Sequence, residues 1–548
     1  MRPKKLISYL SYNVQKNYTL GLTTAFVAWL AWPPMPYTAL LLLVAFIPLL
    51  LAVENIIRSD AKRKGKKVFS LSFFTFAIWN TSCIYWVFNS LNAVMPAWVA
   101  LLVSLIPFGL AALLMTIAFW LYYRLRLITG KAWSYIGLIS FWLGYEYLHQ
   151  TWDLAFPWMN LGNGFAGFHQ LIQWYEFTGV FGGSLWIWIT NILGFELYLA
   201  WKYKIISKTL IWSLAGIVIL PILYSLTIYT NYQENTNPSN IVVVQPNVDP
   251  YIKFQGPASV QLQTIIHLSD SVGQPNTEYF IWPETAIPEY ADEATIHTNV
   301  NFMAIRNFLK KYPNANVLSG IESYLMYDSA STSTARYSSQ NSKYFDSFNA
   351  AIQIENSDKV QFYHKSRLVP GVEQTPFSSA LSFMKPLFAA FGGTTGGYGS
   401  QKEPSVFYSQ SGIGAAPVIC YESIWGEYVA GYVQKGAQFI AIVTNDGWWG
   451  NTSGKDQHLD YARLRAIETR RWVARSANTG ISGFINQRGD ITKRSGWWHA
   501  TALKEDINLN EELTFYTRHG DFIALTACVL SGGFLALLLL NFINRRKI

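Results

Sequence analysis

Cysteine and charge are both scarce in this chain. Its 548 residues hold 3 cysteines and 8 histidines, and only 14% of residues are charged. Three cysteines exclude a disulfide-stapled scaffold. No His, Cys and Asp cluster has metal-ligand spacing, which argues against a zinc site. No GxxxxGK[ST] loop is present to cradle a nucleotide phosphate. Apolar residues make up 51% of the chain, and aromatic residues 16%.

The apolar residues are unevenly spread. Residues 1–230 are almost continuously apolar, and residues 231–520 have ordinary globular composition. Residues 521–548 return to an apolar run, "FIALTACVLSGGFLALLLLNFI", that ends in "NRRKI". A helix needs roughly 20 apolar residues to cross a bilayer. The first part offers segments at 18–32, 37–57, 68–90, 95–123, 133–150, 174–201 and 207–229, and an eighth lies at 521–542. The first ends at "WPPMP", as a tight hairpin with the second would. "MRPKK" precedes no small-residue cleavage site, so the first segment reads as an uncleaved anchor.

Basic residues give the orientation, because Lys and Arg gather at cytoplasmic helix ends. The second connection, "RSDAKRKGKK", carries Arg58, Lys62, Arg63, Lys64, Lys66 and Lys67. The fourth holds Arg124, Arg126 and Lys131, and the sixth Lys202, Lys204 and Lys208. The odd connections, "WPPMP", "NSLNAVMP" and "QTWDLAFPWMNLGNG", hold no Lys or Arg. The alternation places both termini in the cytoplasm and residues 231–520 outside it. The net charge of +9 then reflects topology rather than a nucleic-acid footprint. Two acidic residues in or near the spans, Glu54 and Glu196, show no evident partner in the sequence. Glu146 and His149, near the outer end of the fifth segment, read as headgroup contacts or helix caps.

The polar domain alternates strands and helices. Strands are expected at 240–248, 278–284, 316–323, 349–356, 414–422 and 439–446, where Val- and Ile-rich runs show little alternation. "ASVQLQTIIHLSDSV" (258–272) and "DQHLDYARLRAIETRRWVARSA" (456–477) read as helices. The economical class is an α/β or α+β sandwich. Residues 327–345 read as a surface excursion, and "FGGTTGGYGS" (391–400) as a flexible loop.

Three chemically capable residues end three apolar runs: Glu284 in "IWPETAIP", Lys365 in "QFYHKSRLVP" and Cys420 in "PVICYE". Residues at strand ends converge at one sheet edge, the usual place for a site in open sheets. Cys83 and Cys528 fall in apolar segments, so Cys420 has no disulfide partner within its domain. A lone cysteine is most often a small buried hydrophobe. A carboxylate able to take the thiol proton and a cation able to hold an oxyanion complete an acyl-transfer set. His458, on the long helix, reads as structural.

"WPETAIP", "HKSRLVPGVEQTPF", "ICYES", "TNDGWWG", "QHLDYARLRAIETRR" and "RSANTGIS" resemble the successive motifs of the nitrilase, or carbon–nitrogen hydrolase, superfamily. Joined to the apolar segments, to "FPWMNLGNG" and to "YTRHGD", they resemble the bacterial apolipoprotein N-acyltransferase family over nearly the whole chain. The resemblance implies a polytopic α-helical membrane protein with about eight transmembrane helices. It carries an extracytoplasmic nitrilase-like αββα sandwich facing the periplasm from the inner membrane. The domains would be 1–230, 231–520 and 521–548. Glu284 resembles the general base, Lys365 the catalytic lysine and Cys420 the nucleophile. Glu373, Tyr421 and Glu422 resemble supporting active-site residues. "GVEQTPF" departs from the commoner Phe-Gly-Glu-Phe-Val-Pro pattern. Phe254, in "YIKFQ", stands where the family usually has Trp. Phe254, Trp448 and Trp449 are substrate-binding candidates, with core packing as the plainer reading of the two tryptophans.

The implied reaction moves an acyl chain from the sn-1 position of a phospholipid, through a Cys thioester, to the α-amine of a diacylglyceryl-cysteine apolipoprotein. No cofactor, metal or nucleic acid is implied, and the chain is expected to act as a monomer. Two other readings fit parts of the sequence. One is a membrane-anchored amidase or hydrolase, which shares the same residues but has no need of seven apolar segments. The other is a transporter with an accessory domain, in which intramembrane acids would mark the path.

Overall fold

The computed structural model describes residues 13–35, 37–205, 207–374, 376–377 and 397–546. The basic N-terminal "MRPKK" and residues 391–396 of the Gly-rich stretch lie outside them. The apolar segments are helical: α1 Val14–Leu30, α2 Ile47–Arg58, α3 Lys64–Ile84, α4 Trp86–Asn92, α5 Ala97–Thr129, α6 Lys131–Thr151, α7 Tyr175–Lys202 and α8 Lys208–Asn231. A 3-10 turn, Ala39–Leu43, leads into α2. Among the described residues five helical stretches are long and apolar enough to cross a membrane, or six if α3 and α4 are counted as one bent span. The segment expected at 68–90 is therefore not a single straight helix. It bends by 60° between α3 and α4, with neither Pro nor Gly at the joint. The bend swings Trp86 beneath the globular domain, which supplies its hydrogen-bond partner.

Large apolar side chains stand exposed along α5 and α8, including Leu101, Ile106, Leu220 and Leu223. Such a belt is tolerated where lipid replaces water. The two acids that lacked partners in the sequence have them in the fold. Glu54 takes Arg58 at 2.6 Å and Arg126 at 3.4 Å. Glu196 takes Lys131 at 2.6 Å and the Tyr135 hydroxyl. Arg58 stands one turn along the same helix, at a spacing the sequence does show, whereas Arg126 and Lys131 come from other helices, which linear spacing does not reveal. Glu54 and Glu196 are thus each paired with a cation.

Residues 238–508 form two stacked sheets. The first has the order β14-β1-β2-β4-β6-β5, with β3 on β4 and β7 on β6. These strands are β1 Pro238–Gln245, β2 Thr277–Ile281, β3 Ile287–Asp292, β4 Asn316–Tyr327, β5 Arg336–Ser338, β6 Lys343–Ile354, β7 Val360–His364 and β14 Thr501–Asn508. The second has the order β13-β12-β11-β10-β9-β8. Its strands are β8 Phe407–Tyr408, β9 Gly414–Ile419, β10 Phe439–Thr444, β11 Val473–Ala477, β12 Gly483–Ile485 and β13 Ile491–Arg494. Helices α9 Ala258–Val272 and α10 Val300–Leu309 cover the first sheet, and α11 Gly426–Gln434 and α12 Ser453–Thr469 the second. The period-two rule of strands builds these layers. In β1, Ile241 and Val243 face the second sheet while Val242 and Val244 pack under α9 and α10.

Two local readings change. The helix expected at 456–477 ends at Thr469 with Arg470 in the left-handed region (φ 50°), and Val473–Ala477 is a strand instead. Residues 327–345 include β5 and the start of β6, so the excursion is an edge hairpin. The chain closes with α13 Phe515–His519 and α14 Phe522–Arg546.

One side chain joins the sandwich to the bundle. Gln457 on α12 accepts the indole N–H groups of Trp86 at 3.2 Å and Trp158 at 2.7 Å. Its amide donates to the carbonyls of Pro33 at 2.8 Å and Cys83 at 3.1 Å. Its full hydrogen-bonding capacity is used across the junction. Gln457→Leu strands two buried N–H groups and two carbonyls, each worth roughly 1–3 kcal/mol when left unpaired. The variant should unfold in detergent at a clearly lower temperature than the parent. An unchanged midpoint would show that the junction does not depend on this residue.

Candidate active site

The three strand-end residues meet at one end of the sandwich. Glu284 follows β2, Lys365 follows β7 and Cys420 follows β9. The Lys365 ammonium lies 3.3 Å from Glu284 Oε1 and 2.7 Å from Glu373 Oε1. Asn349 on β6 donates from the same Nδ2 to both carboxylates, at 2.8 and 2.9 Å. Glu373 is anchored again by the Val369 N–H at 2.8 Å. Two carboxylates this close would repel strongly without the cation between them. Burial alone would drive a proton off Lys365, but Glu373 and Glu284 reverse the sign and hold the ammonium well above its ordinary pKa.

The loops carrying these groups are strained. Cys420 has φ 50° and Thr285 has φ 47°, a region that costs non-glycine residues energy. Gly320 allows the second of these turns. A Cβ there would stand 2.5 Å from the Glu284 Cα, and its backbone exchanges hydrogen bonds with Pro283 and Ala286. Lys253 clasps the turn from the far side, donating to the Glu284 carbonyl at 3.0 Å and to Thr285 Oγ1 at 2.6 Å. Burial pushes the Lys253 ammonium down to about 7, against the pull of Glu284 and Glu322.

The Cys420 turn is held from below. Its carbonyl accepts Ser423 Oγ at 2.8 Å and lies 3.2 Å from His458 Nε2. His458 Nδ1 is 3.0 Å from Asp446, which Arg475 grips at 2.6 Å. Burial opposes the Asp446 charge, yet Arg475 and His458 hold its pKa down to about 2. His458 is thus structural, as its place on the helix suggested. Glu422 does not face the substrate side. It is fully buried and accepts the backbone N–H groups of Ser366 at 2.6 Å and Ile419 at 2.9 Å. It ties the Cys420 turn to the Lys365 loop. Tyr421 leans the other way and donates to the Ala155 carbonyl at 3.0 Å.

A cavity of about 1400 Å³ opens over this cluster. Its walls include Glu284, Lys365, Glu373, Cys420 and Tyr421, with Phe254, Trp448 and Trp449. Its far side is built by Val87 and Leu91 of α4, by Val94 in the turn that follows, and by Val103, Ile106 and Leu110 of α5. Small-molecule sites span about 300–1,000 Å³, so this one has room for a larger ligand. Phe254 lies stacked over Tyr290 with ring centroids 6.5 Å apart. Trp449 packs on Trp86 at 4.9 Å, whereas Trp448 is 40% exposed. The two tryptophans therefore divide between packing and open wall. Glu146 and His149 are buried rather than set among headgroups. Glu146 accepts the Leu161 N–H at 2.8 Å, and His149 lines the cavity. Asn349, Lys253 and Glu322 were missed in the sequence. For Asn349 and Glu322 the available signal was a polar residue inside a buried strand, which must find a partner; Lys253 lies in a turn and had no such signal.

The family profile described as carbon–nitrogen hydrolase matches residues 243–512. A second profile, described as the apolipoprotein N-acyltransferase N-terminal domain, matches residues 24–193. The sandwich is thus a carbon–nitrogen hydrolase domain, carried on a bundle of apolar helices. The chain belongs to the apolipoprotein N-acyltransferase family. An apolipoprotein N-acyltransferase of Chlorobaculum tepidum is 29% identical over 539 residues, covering 96% of this chain and 97% of that one. One of Geobacter metallireducens is 26% identical over 539 residues, covering 96% and 95%. Among solved structures, an amidase from Nesterenkonia has 14% identity and a TM-score of 0.36, covering 54% of this chain and 98% of its own.

Burial pushes the Cys420 thiol well up, and the Glu284 charge adds to it against the pull of Lys365. The folded thiol therefore stays protonated at pH values where a free thiol, at about 8.5, is already ionised. Alkylation of Cys420, followed by peptide mapping, should keep rising with pH beyond 9.5, by roughly tenfold per unit. A plateau near the ordinary thiol value would contradict this electrostatic picture.

Proposed function

We propose that the chain transfers an acyl chain from the sn-1 position of a membrane phospholipid, through a thioester on Cys420, to the α-amine of an apolipoprotein's diacylglyceryl-cysteine. The observation that carries this reading is the cavity, whose walls run from the Cys420 cluster to the apolar faces of α4 and α5. A soluble amide would need no such wall. A lipid ester can leave its acyl chain among the helices while its carbonyl reaches the thiol.

The thiol is raised rather than ionised in advance, so a base must act at the moment of attack. Glu284 takes the proton as the Cys420 sulfur bonds to the ester carbonyl, and the Lys365 ammonium balances the oxyanion. The carbon–oxygen bond then breaks, Glu284 returns the proton to the departing alkoxide, and a lysophospholipid leaves. In the second half the neutral α-amine attacks the thioester. Glu284 takes a proton from the new nitrogen bond, the carbon–sulfur bond breaks, and the thiolate regains that proton. Glu373 and Asn349 hold the base and the lysine in register. Tyr421 fixes the cavity against the helices, and Glu422 holds the nucleophile's turn.

The basic connections support an inner-membrane protein with eight spans, residues 231–520 on the periplasmic side and both termini in the cytoplasm. A cysteine introduced into "TARYSSQ" (334–340) should react with an impermeant reagent in intact spheroplasts. Reaction only after the membrane is opened would reverse the orientation.

Incubation with phospholipid should add the mass of one acyl chain to Cys420, and Cys420→Ala should abolish it. Glu284→Gln should slow acylation by roughly 10²–10⁴-fold while keeping the fold. A diacylglyceryl peptide with a free α-amine should discharge the thioester as an amide, and the N-acetylated peptide should not. Steady release of fatty acid, unaffected by peptide, would favour the anchored hydrolase instead.

A further inference from the structure

Two acceptor atoms in the cavity wall have no donor. Asn349 Oδ1 and Glu322 Oε2 are buried and accept no hydrogen bond, and both residues line the cavity. The orientation of Asn349 is fixed by its work at the cluster. Its Nδ2 serves the Glu284 and Glu373 carboxylates, so its Oδ1 turns away from them. The register of β4 and β6 sets Glu322 directly opposite Asn349. Directly opposed residues project from the same face of an antiparallel pair, with Cβ atoms about 4.5–5.5 Å apart. The two empty acceptors therefore sit together, one strand away from the base.

A pair of unmet acceptors is costly unless a ligand brings donors. A primary ammonium offers three N–H donors and no acceptor. The charge also fits. Glu284 and Glu373 are taken by Lys365, and the Lys253 ammonium is held by the Glu284 carbonyl and Thr285. Glu322 lies 6% exposed and has no salt bridge among the described residues; Tyr290, Tyr398 and Lys253 favour its charged form, and its Oε2 is still open to an incoming cation.

We infer that Glu322 Oε2 and Asn349 Oδ1 form a cradle for the α-ammonium of the acyl acceptor, an inference that rests on the acyltransferase reading above. The acceptor's amine is largely an ammonium at neutral pH, with an ordinary pKa of about 7.7–8.0, and it must shed one proton before it can attack. Glu322 receives it: an N–H bond breaks, an O–H bond forms on Oε2, and the neutral amine is left beside the thioester. Burial raises the proton affinity of the Glu322 carboxyl, which Tyr290, Tyr398 and Lys253 temper. The proton passes to solvent when the amide product leaves. An ethanolamine headgroup carries the same ammonium. The cradle adjoins the base through Asn349, however, and an acceptor amine must come to that place, whereas a headgroup is separated from the reacting ester by glycerol and phosphate.

The test uses the full-length chain in detergent. The acyl-enzyme is formed with phosphatidylglycerol and discharged with increasing diacylglyceryl-cysteinyl peptide. Glu322→Gln should raise the peptide concentration giving half-maximal discharge by roughly 10- to 100-fold, with a far smaller change in acylation. Glu322→Asp should recover part of the loss. The N-acetylated peptide, used as a competitor, should bind the parent and Glu322→Gln equally. An unchanged peptide dependence would overturn the cradle. So would a loss of acylation as large as the loss of discharge, which would mark Glu322 as structural. A defect confined to phosphatidylethanolamine as donor would reassign the site to the headgroup. If the parent formed thioester but no amide, the function beneath the cradle would fall, a result distinct from any effect of the variant.

Discussion

Everything at the cluster depends on one buried ammonium. Glu284 and Glu373 stand side by side because Lys365 lies between them. Removing one partner from a buried ionic group typically costs 3–5 kcal/mol, because the remaining charges lose their compensation. The fold therefore fixes the lysine at its backbone as well. Its N–H donates to the Asn349 carbonyl at 2.9 Å, and the Asn349 side chain returns to both carboxylates. Base, cation and second carboxylate are one object. A shift in any of them would open an unpaired charge in a site with little water to screen it.

The same demand, that no buried polar group go unmet, joins the two halves of the molecule. Gln457 serves two indoles and two carbonyls of the helical part. Trp425 donates to the Gln150 carbonyl at 3.1 Å, and Tyr421 to that of Ala155 at 3.0 Å. These bonds leave the turn beside Cys420 and cross to the end of α6. The turn beside Cys420 is thereby tied to the residues at and just beyond the end of α6.

Much of this was legible in the sequence because the chemistry stands where apolar runs stop. Glu284, Lys365 and Cys420 each end such a run, and strand ends are the places a sheet brings together. What escaped had no local sign. Arg470 ends α12 in the left-handed region, where Gly is the usual signal, so the helix was read through into β11. The bend at Tyr85 has no Pro or Gly to mark it. Glu196 finds its cation on another helix, and so does Glu54 its second one, which spacing along the chain does not report. Asn349 was hidden for a different reason: it opens the apolar run "NAAIQIEN", and only the packing of β6 against β4 and β7 shows that it faces the site.

The position of the chemistry follows from two conflicting demands on water. On the proposed reading a thioester must be kept from water, yet the charged groups that would make and break it must be hydrogen-bonded. The sandwich alone would meet the second demand and leave its open end in solvent. The helices meet the first, since α4 and α5 supply the apolar side of the cavity. The cluster then relies on fixed partners rather than on solvent, with Lys365 and Asn349 serving the carboxylates. In such surroundings an oxyanion gains more from a fixed ammonium than it would in water. A raised thiol suits this arrangement too. Kept neutral until a carbonyl arrives, it adds no third negative charge beside Glu284 and Glu373. In the proposed reaction its proton would move only when the Lys365 ammonium has an oxyanion to balance, so the charge at the cluster would stay constant through the acyl transfer.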